Sequence, residues 1–197
     1  MNKLHRTVAI LLIICIALGV GFLTDVIWNK VEEWTHPKSY DDLIEKYAKE
    51  YNIPEYVIYA VIKTESGFDP SAQSSAGAQG LMQMMPSTFE WLTGDEHLRE
   101  YLPVSSLMNP ETSIRYGTYY LRYLYQKFDH NWDTAFAAYN GGEGNVTKWL
   151  KDPDLSDGKG NLTNIPFPET KAYVSKVNDA IDTYKDLYYE PNKGVST

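Results

Sequence analysis

Residues 65–86 read ESGFDPSAQSSAGAQGLMQMMP, and this stretch decides how the rest of the chain is understood. Upstream of it, Val57, Ile58, Val61 and Ile62 recur at helical spacing and lead into Glu65. A helix apolar nearly all round belongs in a core, so this one is expected to be buried and to end in a carboxylate. Gly67 and Pro70 stop it, a loop of Ser, Ala, Gly and Gln follows, and a compact apolar turn, Gly80-Leu81-Met82-Gln83, closes the stretch. Loops of this kind ordinarily only connect. This one joins a lone glutamate to a glutamine on a methionine-rich turn, which suits a carboxylate at the edge of a ligand cleft.

On both sides of the stretch the pattern is helical. Ser39-Tyr40-Asp41-Asp42 opens a helix with acid in its first turn, and Leu43, Ile44, Tyr47 and Ala48 follow at helical spacing. Asn52-Ile53-Pro54 breaks it, and Pro54 suits the first turn of the buried helix. Beyond the stretch, residues 86–92 make a short helix and 93–108 a longer connection. Asn109-Pro110-Glu111 is an N-cap followed by proline, opening a helix with Ile114, Gly117, Leu121, Leu124 and Phe128 on one stripe. Asn131 caps the next helix, which stops at Asn140-Gly141-Gly142. A short helix passes through residues 146–150, residues 152–167 form a surface loop, and Pro168-Glu169-Thr170 opens a last long helix. No strand is expected. The fold class is mostly α, a single α-domain over residues 39–190 behind an N-terminal segment, with 191–197 as a tail.

Composition narrows the function classes. Hydrophobic residues make up 43% of the chain and aromatics 14%, which is globular. The formal net charge of −8 argues against a nucleic-acid footprint and suits a neutral or basic ligand. Cys15, the single cysteine, lies in the apolar N-terminal run, so neither a disulfide nor a Cys–His nucleophile is available. His5, His36, His97 and His130 show no ligand spacing, and no metal or other cofactor is expected.

Residues 1–7 are a basic lead expected to stay cytoplasmic, and residues 8–23 are almost unbroken apolar sequence. Counting on to Trp28 gives a tilted transmembrane span over 8–28. Ala17-Leu18-Gly19 and Gly19-Val20-Gly21 are only fair cleavage sites, so an uncleaved anchor is favoured over a cleaved signal. Positive charge before the run and acid after it direct the remainder outward, to an extracytoplasmic position at the membrane or in the cell wall. Residues 29–38 read as a polar tether.

Glu65 is the first candidate for chemistry. It falls in the last turn of its helix, where the dipole disfavours a carboxylate, and burial beside apolar side chains pushes its pKa up as well. A carboxyl protonated near neutral pH is what a general acid towards a glycosidic oxygen requires. The plainer reading is a surface glutamate near a helix end. Most glycosidases use two carboxylates, but Asp69 before Pro70 reads as a turn cap, and Asp95 and Glu96 sit in a loop with no fixed relation to Glu65. Gly77 and Gly80 let backbone approach a ligand, and Gln83 can exchange hydrogen bonds with sugar hydroxyl and acetamido groups. Of Met82, Met84 and Met85, most are expected in the core, with one able to line a cleft.

ESGFDP, Ser74, GAQGLMQMMPST, AYNGG and ETKAYV occur in that order. The set resembles the lytic transglycosylase family of the soluble-lytic-murein-transglycosylase (SLT) type, over about residues 40–190. The resemblance implies a goose-lysozyme-like α-domain that cleaves peptidoglycan glycan strands. It implies that Glu65 is the single catalytic acid and base and that Ser66 completes its ES pair. Ser74 and Gln83 match positions that contact substrate, and Met85 one that lines the cleft. Tyr139 and Asn140 match a pair beside the catalytic carboxyl; Glu169 and Tyr173 match a motif contributing to the glycan cleft. The family has a single residue between Asn and Gly in its AYNxG pattern, and Gly141 fills it here, a mild departure.

The implied reaction cleaves between N-acetylmuramic acid and N-acetylglucosamine and closes a 1,6-anhydro ring on the muramic acid. A hydrolytic muramidase on the same fold is one alternative; a catalytically dead, membrane-tethered glycan-binding module is another. The expected partners are peptidoglycan strands and, through the N-terminal segment, a membrane. The chain is expected to act as a monomer.

Overall fold

The computed structural model describes residues 3–190, with side chains described for residues 11–190 other than 25 and 29. The expected tail, 191–197, lies outside the described residues, as do the first two residues and the side chains of the basic lead. The chain divides into two units, Lys38–Lys185 and the remainder.

The N-terminal unit contains α1, Lys3–Thr35, a single helix of 33 residues. Its stretch Leu11–Thr35 is long and apolar enough to cross a membrane, and Leu11, Ile13, Leu18, Phe22 and Ile27 are all exposed. Residues 29–35, expected as part of a tether, continue this helix. Glu and Lys residues there form helical neighbours, as in the Lys30–Glu33 pair at 2.8 Å, so polarity alone does not end the helix.

In the second unit α2 (Asp41–Tyr51), α3 (Glu55–Ser66), α4 (Pro86–Thr93), α5 (Pro110–Lys127), α6 (Trp132–Gly141), α7 (Glu143–Trp149) and α8 (Pro168–Tyr184) follow one another. A 3-10 turn, Val104–Met108, lies within the expected connection 93–108. Among the described residues the only β pairing is three isolated bridges. The helix starts follow their caps. Asn109 Oδ1 accepts from Thr112 N at 3.2 Å and Asn131 Oδ1 from Thr134 N at 2.9 Å, while Pro110 and Pro168 take first-turn positions.

The buried helix is α3: Val57, Ile58, Tyr59, Ala60, Val61 and Ile62 are at most 1% exposed. Each large apolar side chain buried there contributes about 1.5–3 kcal/mol to holding the helix in place. α3 packs against α8 and α2, and α6 packs against α5, α7 and α8. Ile114, Gly117, Leu121, Leu124 and Phe128, the stripe on α5, are all buried. α3 is therefore held against α8, the helix that carries Glu169 and Tyr173.

Candidate active site

Glu65 lies in the last turn of α3, which ends at Gly67 in the left-handed conformation (φ 58°). Asp69 then turns the chain, its Oδ1 accepting from Ser71 N at 2.8 Å and Ser71 Oγ at 2.7 Å. This is the capping role its position before Pro70 suggests.

The loop from Gly67 to Met85 is pinned at almost every step. Ser74 N donates to Ala78 O at 2.9 Å while Ala78 N donates to Ser74 Oγ at 3.0 Å. Gly80 N donates to Ala72 O at 2.9 Å, and Gln79 and Met84 exchange backbone hydrogen bonds at 3.0 and 3.1 Å. Ser66 Oγ donates to Leu81 O at 2.8 Å and so fastens the end of α3 to the turn. Gly80 has φ 78°, and a Cβ there would lie 2.0 Å from the Leu107 carbonyl oxygen. Only glycine fits that position.

The turn beside Glu65 is clamped from two other helices. Met82 N donates its hydrogen bond to Ser113 Oγ of α5 at 3.1 Å, and Met82 O accepts from Tyr139 Oη of α6 at 2.8 Å. The Met82 side chain lies on Gly117, where a Cβ would come within 2.3 Å of its sulfur. Met82 and Met84 are buried, and Met85 is 40% exposed, which leaves it as the methionine available to a cleft.

Gln83 adopts φ 45°, and its Nε2 donates to Ala72 O and Gly80 O, both at 2.9 Å. The sequence suggested an amide turned towards sugar. Its nitrogen instead holds the loop, and only the side-chain oxygen remains for a ligand.

Glu65 makes no hydrogen bond of ordinary length to another described residue, and burial pushes its carboxyl pKa from the usual 4.5 to about 7, partly countered by the Tyr173 hydroxyl. No second carboxylate contributes to this shift. Tyr173, on α8, is buried, and its hydroxyl has no partner at ordinary hydrogen-bond distance. The pKa values of Tyr139 and Tyr173 are both raised well above 10, first by burial and then by the charge of Glu65. Three side chains from α3, α6 and α8 therefore converge: one acid held protonated near neutrality and two phenols that stay protonated.

Asn140 and Glu169 meet at a second place. With Gly141, Phe167, Pro168 and Thr170 they line a groove of about 380 Å³. Glu169 lies in the first turn of α8, where its charge opposes the positive end of the dipole, so it is explained structurally as well. Phe167, 45% exposed, stands edge-on to Trp149 at 4.9 Å between ring centroids.

Sequence reasoning missed Ser113, Tyr120 and Phe167. Ser113 falls four residues before Gly117 on the inward face of α5, and a small polar residue on an apolar stripe was the available signal.

The domain is helical throughout its named elements, with one partly buried acid at a helix end and phenols on two neighbouring helices. The model for the family "Transglycosylase SLT domain" matches residues 42–160, and the chain belongs to that family. It is 38% identical over 159 residues to the soluble lytic murein transglycosylase of Escherichia coli K12, covering 80% of this chain and 24% of that protein. The crystal structure of the 70 kDa soluble lytic transglycosylase Slt70 from Escherichia coli superposes with a TM-score of 0.71 at 36% identity, over 78% of this chain and 25% of that one. An inactive glutamate-to-glutamine mutant of lytic transglycosylase Slt from Pseudomonas aeruginosa superposes with a TM-score of 0.68 at 31% identity, over 78% and 25%. The chain spans about a quarter of the length of these proteins.

Proposed function

We propose that this protein is a peptidoglycan lytic transglycosylase that uses Glu65 first as acid and then as base. The observation that carries this reading is the solitary, half-buried carboxyl of Glu65, with a pKa of about 7 and no carboxylate partner acting on it. A pair of carboxylates is what the usual glycosidase routes need, and an acid working alone fits a route in which the substrate supplies the nucleophile. The names of the relatives and the inactivity of a glutamate-to-glutamine mutant of one of them agree with it.

Protonated Glu65 donates its proton to the oxygen of the β-1,4 bond between N-acetylmuramic acid and N-acetylglucosamine. The C1–O bond breaks with its electron pair going to that oxygen, and the positive charge left at C1 is met by the substrate's own acetamido group. Glu65, now a carboxylate, takes the proton of the muramic acid C6 hydroxyl as that oxygen attacks C1. A 1,6-anhydro ring closes, the acid form of Glu65 is restored and no water is consumed. Tyr139 holds the backbone of the Met82 turn beside the acid. The Tyr173 hydroxyl, facing the carboxyl and lacking another partner, is placed to stabilise its charged form in the middle of the cycle.

Ser74, the oxygen of Gln83, Met85, Asn140 and Glu169 are the remaining candidate contacts to the strand. α1 is the membrane segment of this reading, and no cofactor takes part. Mass spectrometry of digested sacculi tests the reaction. The wild type should release anhydromuramic ends and Glu65→Gln none. Reducing muramic ends without anhydro products would make the protein a hydrolase and overturn the proposal.

A further inference from the structure

The residues of α1 after Trp28 carry charge, but one face of them is apolar. Ile16, Val20, Leu23, Ile27, Val31 and Trp34 follow one another three or four residues apart, so they lie on one stripe of α1. All six are exposed, Val31 at 45%, Ile27 at 62% and Trp34 at 83%. The stripe runs from the apolar segment into the last two turns without a break.

Glu32 and Glu33 fall on the opposite side of those turns. Trp28 Nε1 donates to Glu32 Oε1 at 2.6 Å, and Lys30 pairs with Glu33 at 2.8 Å. A solvated tether accounts for these charges. It does not account for a tryptophan and two β-branched apolar side chains standing open in a row across from them. The length of the helix suggests what the row meets. From Val8 to Trp34 it measures about 39 Å, against a hydrocarbon core of about 30 Å. A tilt of about 30° shortens the crossing to about 34 Å, which brings Val31 to the edge of the hydrocarbon and Trp34 into the headgroup layer.

We propose that Ile27, Val31 and Trp34 form a lipid-binding surface that lays the last two turns of α1 in the headgroup layer, on the side of the catalytic domain. Tryptophan suits that layer, with an apolar body and a polar N–H. Tilting towards the stripe turns these three side chains to the lipid and Glu32 and Glu33 to the water. The occupant is the bilayer that α1 crosses, because the stripe is continuous with the crossing segment. Beyond Thr35 little chain is left. His36 O accepts from Tyr188 Oη at 2.9 Å, and the five residues before α2 reach about 22 Å at full extension. A lipid-bound end to α1 therefore limits how far from the membrane α2 can begin. This inference rests on the reading of α1 as a membrane segment and adds the face towards which it tilts.

The test is tryptophan quenching in the full-length protein reconstituted into phosphatidylcholine vesicles. Emission present in the wild type and missing from Trp34→Phe belongs to Trp34. Phosphatidylcholine bearing a nitroxide on its headgroup should quench most of that emission, and acrylamide on both sides of the bilayer should quench little. Val31→Glu should shift the emission to the red and open it to acrylamide. Strong acrylamide quenching in the wild type, without an effect of the nitroxide lipid, would mean a solvated tether and overturn the proposal. Resistance to both quenchers would place a second copy or another protein on the stripe and overturn it equally, as would emission unchanged by Val31→Glu. A protein that does not float with the vesicles would instead refute α1 as a membrane segment. Absence of anhydromuramic ends would refute the reaction, so the three failures are distinguishable.

Discussion

Replacing Glu65 with glutamine removes one titrating group from the folded protein, and the size of the consequence follows from the site. Burial moves the carboxyl from the usual 4.5 to about 7. At about 1.4 kcal/mol per pKa unit this is worth about 3 kcal/mol. Because the folded-state pKa lies above the unfolded one, the folded protein binds the extra proton between these two values. The associated stability is fully present below about pH 4.5 and is lost as pH rises through about 7. Glutamine keeps the shape and the burial but has no proton to lose.

The stability of Glu65→Gln relative to wild type should therefore rise by about 3 kcal/mol between about pH 4 and about pH 9. The assay is urea unfolding of both detergent-solubilised full-length proteins, followed by far-ultraviolet circular dichroism across that range. Every other titrating group is common to the two proteins and cancels in the difference. A difference that stays constant within about 0.5 kcal/mol would refute the raised pKa, and with it the argument that Glu65 carries a proton to transfer near neutrality.

Two further substitutions probe the turn that holds the acid in place. Gly80→Ala forces a Cβ to within 2.0 Å of the Leu107 oxygen at φ 78°, so it should cost more than about 3 kcal/mol of stability and lower activity with it; a thermal midpoint within a degree or so of wild type would contradict the fit described. Tyr139→Phe leaves the Met82 carbonyl without its donor and should cost about 1–2 kcal/mol in the same unfolding measurement, an unchanged value showing that the hydrogen bond does not clamp the turn.

The helices were legible because their signals are local. Asn109 and Asn131 cap the helices they precede, and Pro168 opens α8, because a cap or a first-turn proline acts within a few residues of itself. The buried character of α3 could be read from its apolar periphery. The upward shift of the Glu65 pKa comes from burial, and the apolar neighbours that bury it were visible along the chain.

The polar segment after residue 28 misled, since exposed charge is equally compatible with a tether and with a solvated helix, and α1 runs on to Thr35. Gln83 was legible only in part. An amide can face a ligand or the backbone, and here its nitrogen lies between Ala72 O and Gly80 O, which local sequence does not distinguish.

Sequence by itself determined the helical elements, the separate apolar segment and the place of the candidate acid in the last turn of its helix, because periodicity, capping and charge near a helix end are short-range effects. The tertiary structure decided what surrounds that acid. Met82 meets Ser113 and Tyr139 across 31 and 57 positions of chain, Tyr173 arrives from α8, and the rings from Tyr139 to Trp91 join three helices into one row. Such neighbours are brought together only when helices pack, since nothing within one helix fixes which face of another will lie against it.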